Sequence, residues 1–279
     1  MKTNYGIRGT VVLFTLLATG SATADDAARA TYLANEGVLV TRGSVKVLFD
    51  PLFDNGFGQY QLLPADMAAA LMAGRAPFDG IDAVFVSHHH GDHFAPSMML
   101  DYLRAQTDVM LYAPLQAVTG MRRASGPGDA GLFDRVVGLD LDVGDDPTRL
   151  EAGGLAIEAV RVPHSGWPNR MTDVENIVFR VTLDDAVTVA HFGDADPTIG
   201  HFRPQAAYWE ERDVSLALPP YWFFLSDDGE ETLDTVIRPT DAIGVHVPAS
   251  MPDDPAARPA EIQGYDLFTE PGETRTLVE

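Results

Sequence analysis

The chain has 279 residues, enough for one sizeable domain or at most two small ones. Its content of 46% hydrophobic and 22% charged residues is typical of a globular protein. Its formal net charge of -22 disfavours nucleic acid as a partner, because binding phosphates requires a surface rich in Lys and Arg. The absence of cysteine excludes disulfides, iron–sulfur clusters and thiolate-ligated zinc, so any metal must be bound by His and carboxylate side chains.

The first 24 residues have the pattern of a secretory signal peptide. Lys2 and Arg8 precede a short apolar stretch at 11–18, and Ala22-Thr23-Ala24 has the form of a cleavage site. The apolar stretch is too short for a comfortable transmembrane helix, although an uncleaved anchor is the alternative. We therefore predict a signal peptide at 1–24 and a mature domain at 25–279 that is periplasmic or secreted and has no membrane span.

The elements that precede the first motif are strands and one short helix. Residues 27–35 have no regular pattern and are expected to be a lead-in, whereas 37–41 and 45–50 predict a hairpin that ends at Asp50-Pro51. Residues 52–60 are rich in Gly, Asn and aromatic residues, which predicts a loop. Pro64 then begins a short helix that ends near Gly74.

Four side chains that can bind metal follow an apolar strand predicted at 81–87. They are His88, His90, Asp92 and His93, in a His-x-His-x-Asp-His pattern. Imidazole nitrogen with carboxylate oxygen suits zinc, and also iron or manganese. Histidine runs also occur in tags and metal-storage tracts, but this cluster is internal, interrupted by Gly and Asp, and preceded by a buried type of strand. The pattern therefore predicts a metal site at one edge of a sheet.

The rest of the chain first alternates helix and strand and then consists mostly of strands. Helices are predicted at 96–106 and 115–123, with a strand between them at 109–114. Further strands are predicted at 135–139, 148–150, 155–162, 176–183, 186–190, 215–219 and 242–248. The two halves share a coarse order of strands followed by an α/β part, without a repeat at residue level. This order predicts a single α/β domain in which two sheets pack face to face with helices outside.

The motif and its preceding strand resemble the signature of the metallo-β-lactamase-fold hydrolases. The resemblance covers most of residues 36–278 and implies a four-layer αββα sandwich. The presence of His93 and the lack of Cys resemble the branch that contains glyoxalase II-like thioesterases, lactonases, tRNA-processing nucleases and phosphodiesterases. Within it, the short stretches 35–39 and 271–273 resemble a lactonase-like group of Zn-dependent hydrolases.

Three later residues lie at predicted strand ends and are further candidate ligands: His164, Asp194 and His246. The resemblance implies two metal ions. One would be bound by His88, His90 and His164, the other by Asp92, His93 and His246, and Asp194 would bridge them. Asp194 is favoured over Asp196 because Gly193-Asp194 matches the family pattern. The resemblance also implies that Asp50 supports the ligands from outside, with a simple turn residue as the alternative.

The remaining histidines and a late aromatic group have less certain roles. His89 is expected to be structural or to support the ligands, and His191 to be packed, while His201 could contact substrate. A group of aromatic residues could line an apolar substrate wall, although packing in the core is favoured: Tyr208, Trp209, Tyr221, Trp222, Phe223 and Phe224.

The predicted function is hydrolysis with two divalent ions, zinc first and iron or manganese as alternatives. Two such ions can lower the pKa of a bridging water toward ~7, and the resulting hydroxide attacks a carbonyl or phosphoryl centre. Asp92 is the predicted catalytic residue, since it would orient this nucleophile. We expect a small-molecule ester, lactone or amide as substrate. A phosphodiesterase and a non-catalytic periplasmic metal-binding accessory protein are the alternatives, and the motif specifies neither the substrate nor the oligomeric state.

Overall fold

The computed structural model describes residues 27–278, so the predicted signal peptide lies outside the described residues. Within this part of the chain, two seven-stranded sheets pack face to face and helices cover their outer faces. This arrangement confirms the four-layer αββα sandwich. No helix between residues 27 and 278 has the length and apolar character needed to cross a membrane.

The first sheet has the order β14-β1-β2-β3-β4-β5-β6. Pairing is antiparallel from β14 to β3 and parallel from β3 to β6. Its strands are β1 (Arg29–Ala34), β2 (Gly37–Arg42), β3 (Val45–Phe49), β4 (Ala83–Phe85), β5 (Met110–Pro114), β6 (Val136–Leu139) and β14 (Thr274–Thr276).

The second sheet repeats this plan, with the order β13-β12-β11-β10-β9-β8-β7. Its pairing is antiparallel from β7 to β10 and parallel from β10 to β13. The similarity predicted for the two halves is therefore a similarity in the order and direction of the strands within each sheet. The strands are β7 (Thr148–Ala152), β8 (Leu155–Arg161), β9 (Ile177–Leu183), β10 (Val187–His191), β11 (Leu216–Leu218), β12 (Asp241–Gly244) and β13 (Asp266–Leu267).

Helices cover both outer faces. The first sheet carries α1 (Ala65–Met72), α2 (Pro96–Ala105) and α3 (Leu115–Ala124), and the second carries α4 (Ala206–Glu210) and α5 (Asp227–Glu231), which continues into a π-helical segment (Thr232–Ile237). Short 3₁₀ helices occupy Ala130–Arg135, Ile199–His201, Arg203–Gln205, Tyr221–Leu225, Pro255–Ala257 and Ala260–Ile262.

Aromatic residues join the two sheets at the centre of the sandwich. Phe85 of β4 stacks on Phe49 of β3 and on Tyr112 of β5, with ring centroids 5.2 Å apart in both pairs. It also meets Phe179 of β9, across the inter-sheet core, at 5.1 Å. All four are buried, and removing their apolar area from water favours the packed sandwich. Phe49 and Phe85 are the last residues of β3 and β4, so this contact lies next to the strand ends that Asp50 and the His-x-His-x-Asp-His motif follow.

The prediction of local structure was wrong for one segment and missed several short elements, among them the strands β13 and β14. Residues 29–34 form strand β1 rather than an irregular lead-in, and their partners include β14 from the far end of the chain. The helices α4 and α5 had not been predicted. Both are only five residues long, which is too short for a helical repeat of apolar residues to show in the sequence.

Candidate metal centre

Strand ends from both sheets bring the candidate ligands to one edge of the sandwich. The loop between β4 and α2 carries His88, His90, Asp92 and His93. The three later candidates follow strands of the second sheet: His164 follows β8, Asp194 follows β10 and His246 follows β12. The site is therefore built by the carboxyl ends of one strand of the first sheet, β4, and of alternate strands of the second sheet, β8, β10 and β12.

The first ligand group consists of His88, His90, His164 and Asp194. One donor atom from each of the four lies within 4.8 Å of the others. His88 Nε2 is 3.0 Å from His90 Nδ1, and His164 Nε2 is 3.1 Å from Asp194 Oδ2. The four side chains thus converge on one small volume.

The second ligand group consists of Asp92, His93 and His246. The Nε2 atoms of His93 and His246 are 3.1 Å apart, and Asp92 Oδ2 is 3.2 Å from His246 Nε2. Asp194 Oδ1 lies 3.2 Å from both of these Nε2 atoms. Asp194 therefore presents one oxygen to each group, which is the arrangement that a bridging carboxylate requires.

The donor atoms fit a divalent cation better than they fit each other. His164 Nδ1 donates to the carbonyl of Ser165 at 2.8 Å, so its Nε2 is the nitrogen that carries the lone pair. This buried Nε2 has no hydrogen-bond partner within the part of the chain that the structure describes. Asp194 Oδ1 is also buried without such a partner. Two ligands about 2.05 Å from a tetrahedral zinc would be roughly 3.3 Å apart, close to the 3.0–3.2 Å seen in both groups.

Asp50 fixes the orientation of two of these imidazoles, one in each group. Its carboxylate accepts hydrogen bonds from Ser87 N at 2.7 Å, Ser87 Oγ at 2.5 Å and His93 Nδ1 at 2.9 Å. Since the Ser87 hydroxyl donates to Asp50, it can accept from His88 Nδ1, 3.0 Å away. Both rings are thereby held with Nε2 directed at the ligand groups, a supporting role that such carboxylates commonly have. These contacts agree with the supporting role predicted for Asp50.

Burial and charge set the protonation of the ligands in opposite directions. Burial, with nearby histidines, lowers the pKa of His88 and lowers that of His90 to about 4, so both rings are neutral at pH 7. Burial also lowers the pKa of His93, but Asp194 and Asp50 outweigh it and raise that pKa. Burial raises the pKa of Asp194, yet His246 and His93 hold it well below its usual range.

The structure brings together all seven residues predicted as ligands, whereas the other candidates lie apart from the two groups. Asp196 belongs to neither group, and its Oδ1 is 3.5 Å from His201 Nε2. His89 is exposed. His191 is buried and stacks on Phe49, which agrees with a packed side chain. That the seven residues bind metal stays a prediction.

The predicted aromatic group divides between the core and the metal centre. Four of its six members are buried against the second sheet: Tyr208, Trp209, Phe223 and Phe224. Trp222 instead reaches the centre, with its ring 5.1 Å from that of His246 and its Nε1 donating to Ala195 O at 3.2 Å.

Three further residues at the centre, Glu36, Tyr60 and Ser87, had not been assigned a role from the sequence. The ring of Tyr60 meets that of His246 edge-on at 4.1 Å. Tyr60 lies in a loop without periodicity and Glu36 lies in a turn, so no pattern marks either residue. Only the position of Ser87, between the strand and the first His of the motif, could have drawn attention to it.

Comparison with known families decides the wider assignment. The sequence model of a family described as the β-lactamase superfamily domain matches residues 45–212, more than half of the chain. The chain belongs to this superfamily. The match confirms the superfamily that the His-x-His-x-Asp-His motif predicted, and the lactonase-like subgroup stays a prediction. No protein of curated function matches the chain.

Solved structures of low sequence identity share the fold. A possible metal-dependent hydrolase from Veillonella parvula is 17% identical, with a TM-score of 0.62 over 90% of this chain and 100% of that one. Igni18, a metallo hydrolase from the archaeon Ignicoccus hospitalis, is 19% identical, with a TM-score of 0.58 over 89% and 97%. A diphosphatase of the PhnP family is 14% identical, with a TM-score of 0.52 over 90% and 100%.

Proposed function

We propose that this chain is a metal-dependent hydrolase that uses two divalent ions, zinc first, to cleave an ester, lactone or amide bond. The observation that carries the proposal is the position of Asp194, one oxygen of which faces each ligand group. A pair of ions held in this way supplies a water of lowered pKa and polarises a carbonyl oxygen. The remaining chemistry belongs to residues of the chain.

Asp92 is the residue we propose to orient the attacking water. Burial raises its pKa, but a hydrogen bond from His246 and the charge of His93 outweigh that effect and leave the pKa below its usual value. The carboxylate is therefore ionised at neutral pH. It can accept a hydrogen bond from water and aim the oxygen lone pair at the substrate. Burial of Asp92 at the edge of the sandwich limits competition from bulk water.

The surroundings of the centre favour a substrate that is neutral and partly apolar. Large hydrophobic side chains are exposed on two loops that adjoin the ligands: Phe57 and Leu62 between β3 and α1, and Trp167 and Met171 after His164. The first loop is joined to the motif by the hydrogen bond from Asn55 N to Gly91 O. Such side chains provide contacts for acyl or alkyl groups. The net charge of -22 further disfavours polyanions.

Two alternatives to this function remain to be separated from it. A phosphodiesterase would use the same ligand groups, and one neighbour by fold is called a diphosphatase. A metal-binding accessory protein would bind the same ions without turnover.

We also propose that the mature protein is exported after cleavage near Ala24. N-terminal sequencing of protein from the exported fraction would test this proposal, and we expect it to find a start near Asp25.

A substrate panel on metal-loaded protein tests the function. We expect p-nitrophenyl esters, lactones or aryl amides to be hydrolysed, and His164→Ala to abolish the activity. Faster cleavage of bis(p-nitrophenyl) phosphate than of every ester, lactone and amide would favour the phosphodiesterase. No turnover of any substrate by protein with both ions bound would favour the accessory protein.

A further inference from the structure

The turn that joins β1 to β2 lies directly beneath the second ligand group. This β1–β2 turn consists of Asn35 and Glu36, and it contacts every residue of that group. Asn35 Nδ2 donates to Asp92 O at 2.9 Å, and His246 N donates to Asn35 O at 3.0 Å. Glu36 Oε2 lies 3.9 Å from His93 Nδ1.

The contacts of the β1–β2 turn are selective for one of the two groups. Among residues 27–278, no hydrogen bond or ion pair joins the turn to His88, His90 or His164. The turn also links the group to the second sheet, because His191 Nε2 donates to Glu36 O at 3.1 Å. A substitution in the turn should therefore alter metal binding by the second ligand group more than by the first.

The β1–β2 turn carries three buried oxygen atoms that accept no hydrogen bond from any residue between 27 and 278: Asn35 Oδ1, Glu36 Oε1 and Glu36 Oε2. Both residues are fully buried, and Asn35 has a positive φ of 49°. Buried acceptors without donors are disfavoured unless positive charge lies nearby. His191 Nε2 lies 3.3 Å from Glu36 Oε2, but it donates its hydrogen bond to Glu36 O. The second ligand group and the cation that it implies are therefore the source of such charge.

We propose that Asn35 and Glu36 are positioning residues for the second metal ion. The turn fixes Asp92, His93 and His246 relative to one another, and its unpaired oxygens favour a cation in that group over an empty group. The inference rests on the proposed two-ion centre, and it concerns how tightly one of the two ions is bound.

A third ion beside the β1–β2 turn is the competing interpretation. Donor atoms of Glu36, Asp50 and His191 also lie within 4.8 Å of one another. However, the Asp50 oxygens already accept hydrogen bonds from Ser87 and His93, and His191 Nε2 already donates to Glu36 O. Of these three residues, only Glu36 has carboxylate oxygens without a hydrogen bond, and one such carboxylate is too few for a tightly bound ion. A positioning role agrees with these contacts.

The experiment is a Co²⁺ titration of the metal-free full-length protein, followed by visible absorption in the presence of a competing chelator. We expect Glu36→Ala and Asn35→Gly to raise the Kd of the second ion by about 10- to 100-fold while that of the first is unchanged. Gly at position 35 keeps the positive φ and removes only the side chain. Glu36→Gln keeps an acceptor oxygen and should restore part of the affinity.

Glu158→Gln is the matched control, because Glu158 is also a buried glutamate but pairs with Arg180 in the second sheet. It should leave both Kd values unchanged. If Glu36→Ala does not fold, Glu36→Gln and Asn35→Gly carry the test.

Three results would overturn the inference. The first is an equal loss of both ions in the turn variants, and the second is no change in either affinity. The third is a third ion in the wild type that Glu36→Gln removes. If the wild type binds two ions and the turn variants bind them with unchanged Kd values, the positioning role is contradicted but the proposed two-ion function is not. A wild type that binds one ion contradicts the proposed function as well.

Discussion

Replacing Asp50 by Asn should weaken the binding of both ions, and that of the second ion more. The carboxylate of Asp50 accepts hydrogen bonds from His93 Nδ1 at 2.9 Å and from both the amide and the hydroxyl of Ser87. An Asn oxygen can still accept from the Ser87 amide. Its NH₂ group would then face two donors, so His93 would have to move its proton to Nε2, the atom that should ligate.

The size of the effect follows from the bonds that are lost. A hydrogen bond to a charged group contributes about 1.5–3 kcal/mol. Losing the bond to His93 should therefore raise the Kd of the second ion by roughly 10- to 150-fold, at about 1.4 kcal/mol for each factor of ten. The first ion should be affected less, because Asp50 reaches His88 only through the Ser87 hydroxyl. The Asp50 variant thus differs from changes in the β1–β2 turn, which should spare the first ion.

Chelator competition with Zn²⁺ or Co²⁺ measures both Kd values in the Asp50→Asn variant. The matched control is Asp82→Asn, because Asp82 Oδ2 also accepts a backbone hydrogen bond, from Lys46 N at 2.9 Å. Among the described residues, no hydrogen bond or ion pair joins the Asp82 side chain to either ligand group. The control should bind both ions as the wild type does. Unchanged affinities in Asp50→Asn, or equal losses in the two variants, would refute the supporting role of Asp50.

Three further results are expected. His90→Ala should lose bound metal and activity, whereas His201→Ala should retain metal. Elemental analysis of both variants checks this, and metal retained in His90→Ala or lost from His201→Ala would contradict the expectation. Gly193→Ala should lower the melting temperature, because Gly193 has a φ of 53° and an added Cβ would lie 2.5 Å from Ser87 Cβ. An unchanged thermal unfolding curve would contradict this expectation. The second ion should be released before the first as pH falls from 7 to 5. The second ion must displace a proton from His93, because neighbouring carboxylates raise the pKa of His93 despite its burial. This competition weakens binding of the second ion by up to about tenfold for each pH unit. In the first ligand group, His90 has a pKa of about 4 and is already neutral in this range. Simultaneous release of both ions would argue against this assignment.

Most of the fold followed from patterns that are local in sequence. Strands β8 to β10 and helices α2 and α3 have clear alternation or helical spacing, and the structure has them within a few residues of the prediction. Strand β1 was not predicted; it pairs with β2 next to it in sequence, but its other partner, β14, is more than 240 residues away. Pairing over that distance leaves no local signal.

The candidate ligands were predictable for a different reason. A metal needs specific side chains, and these follow strands in a recognisable order even when the intervening sequence varies. Residues that act through the ligands are harder to find. Glu36 and Tyr60 lie in a turn and a loop, and their contacts with His93 and His246 exist only after the two sheets have packed.

The most direct test of the two-ion centre is the metal content of protein purified without added metal, determined by elemental mass spectrometry. The shared position of Asp194 between the two ligand groups predicts about two divalent ions per chain, and about one in the Asp194→Ala variant. One ion in the wild type would contradict the bridging role of Asp194. No bound ion, with no binding of zinc, iron or manganese when each is supplied, would contradict the metal centre itself.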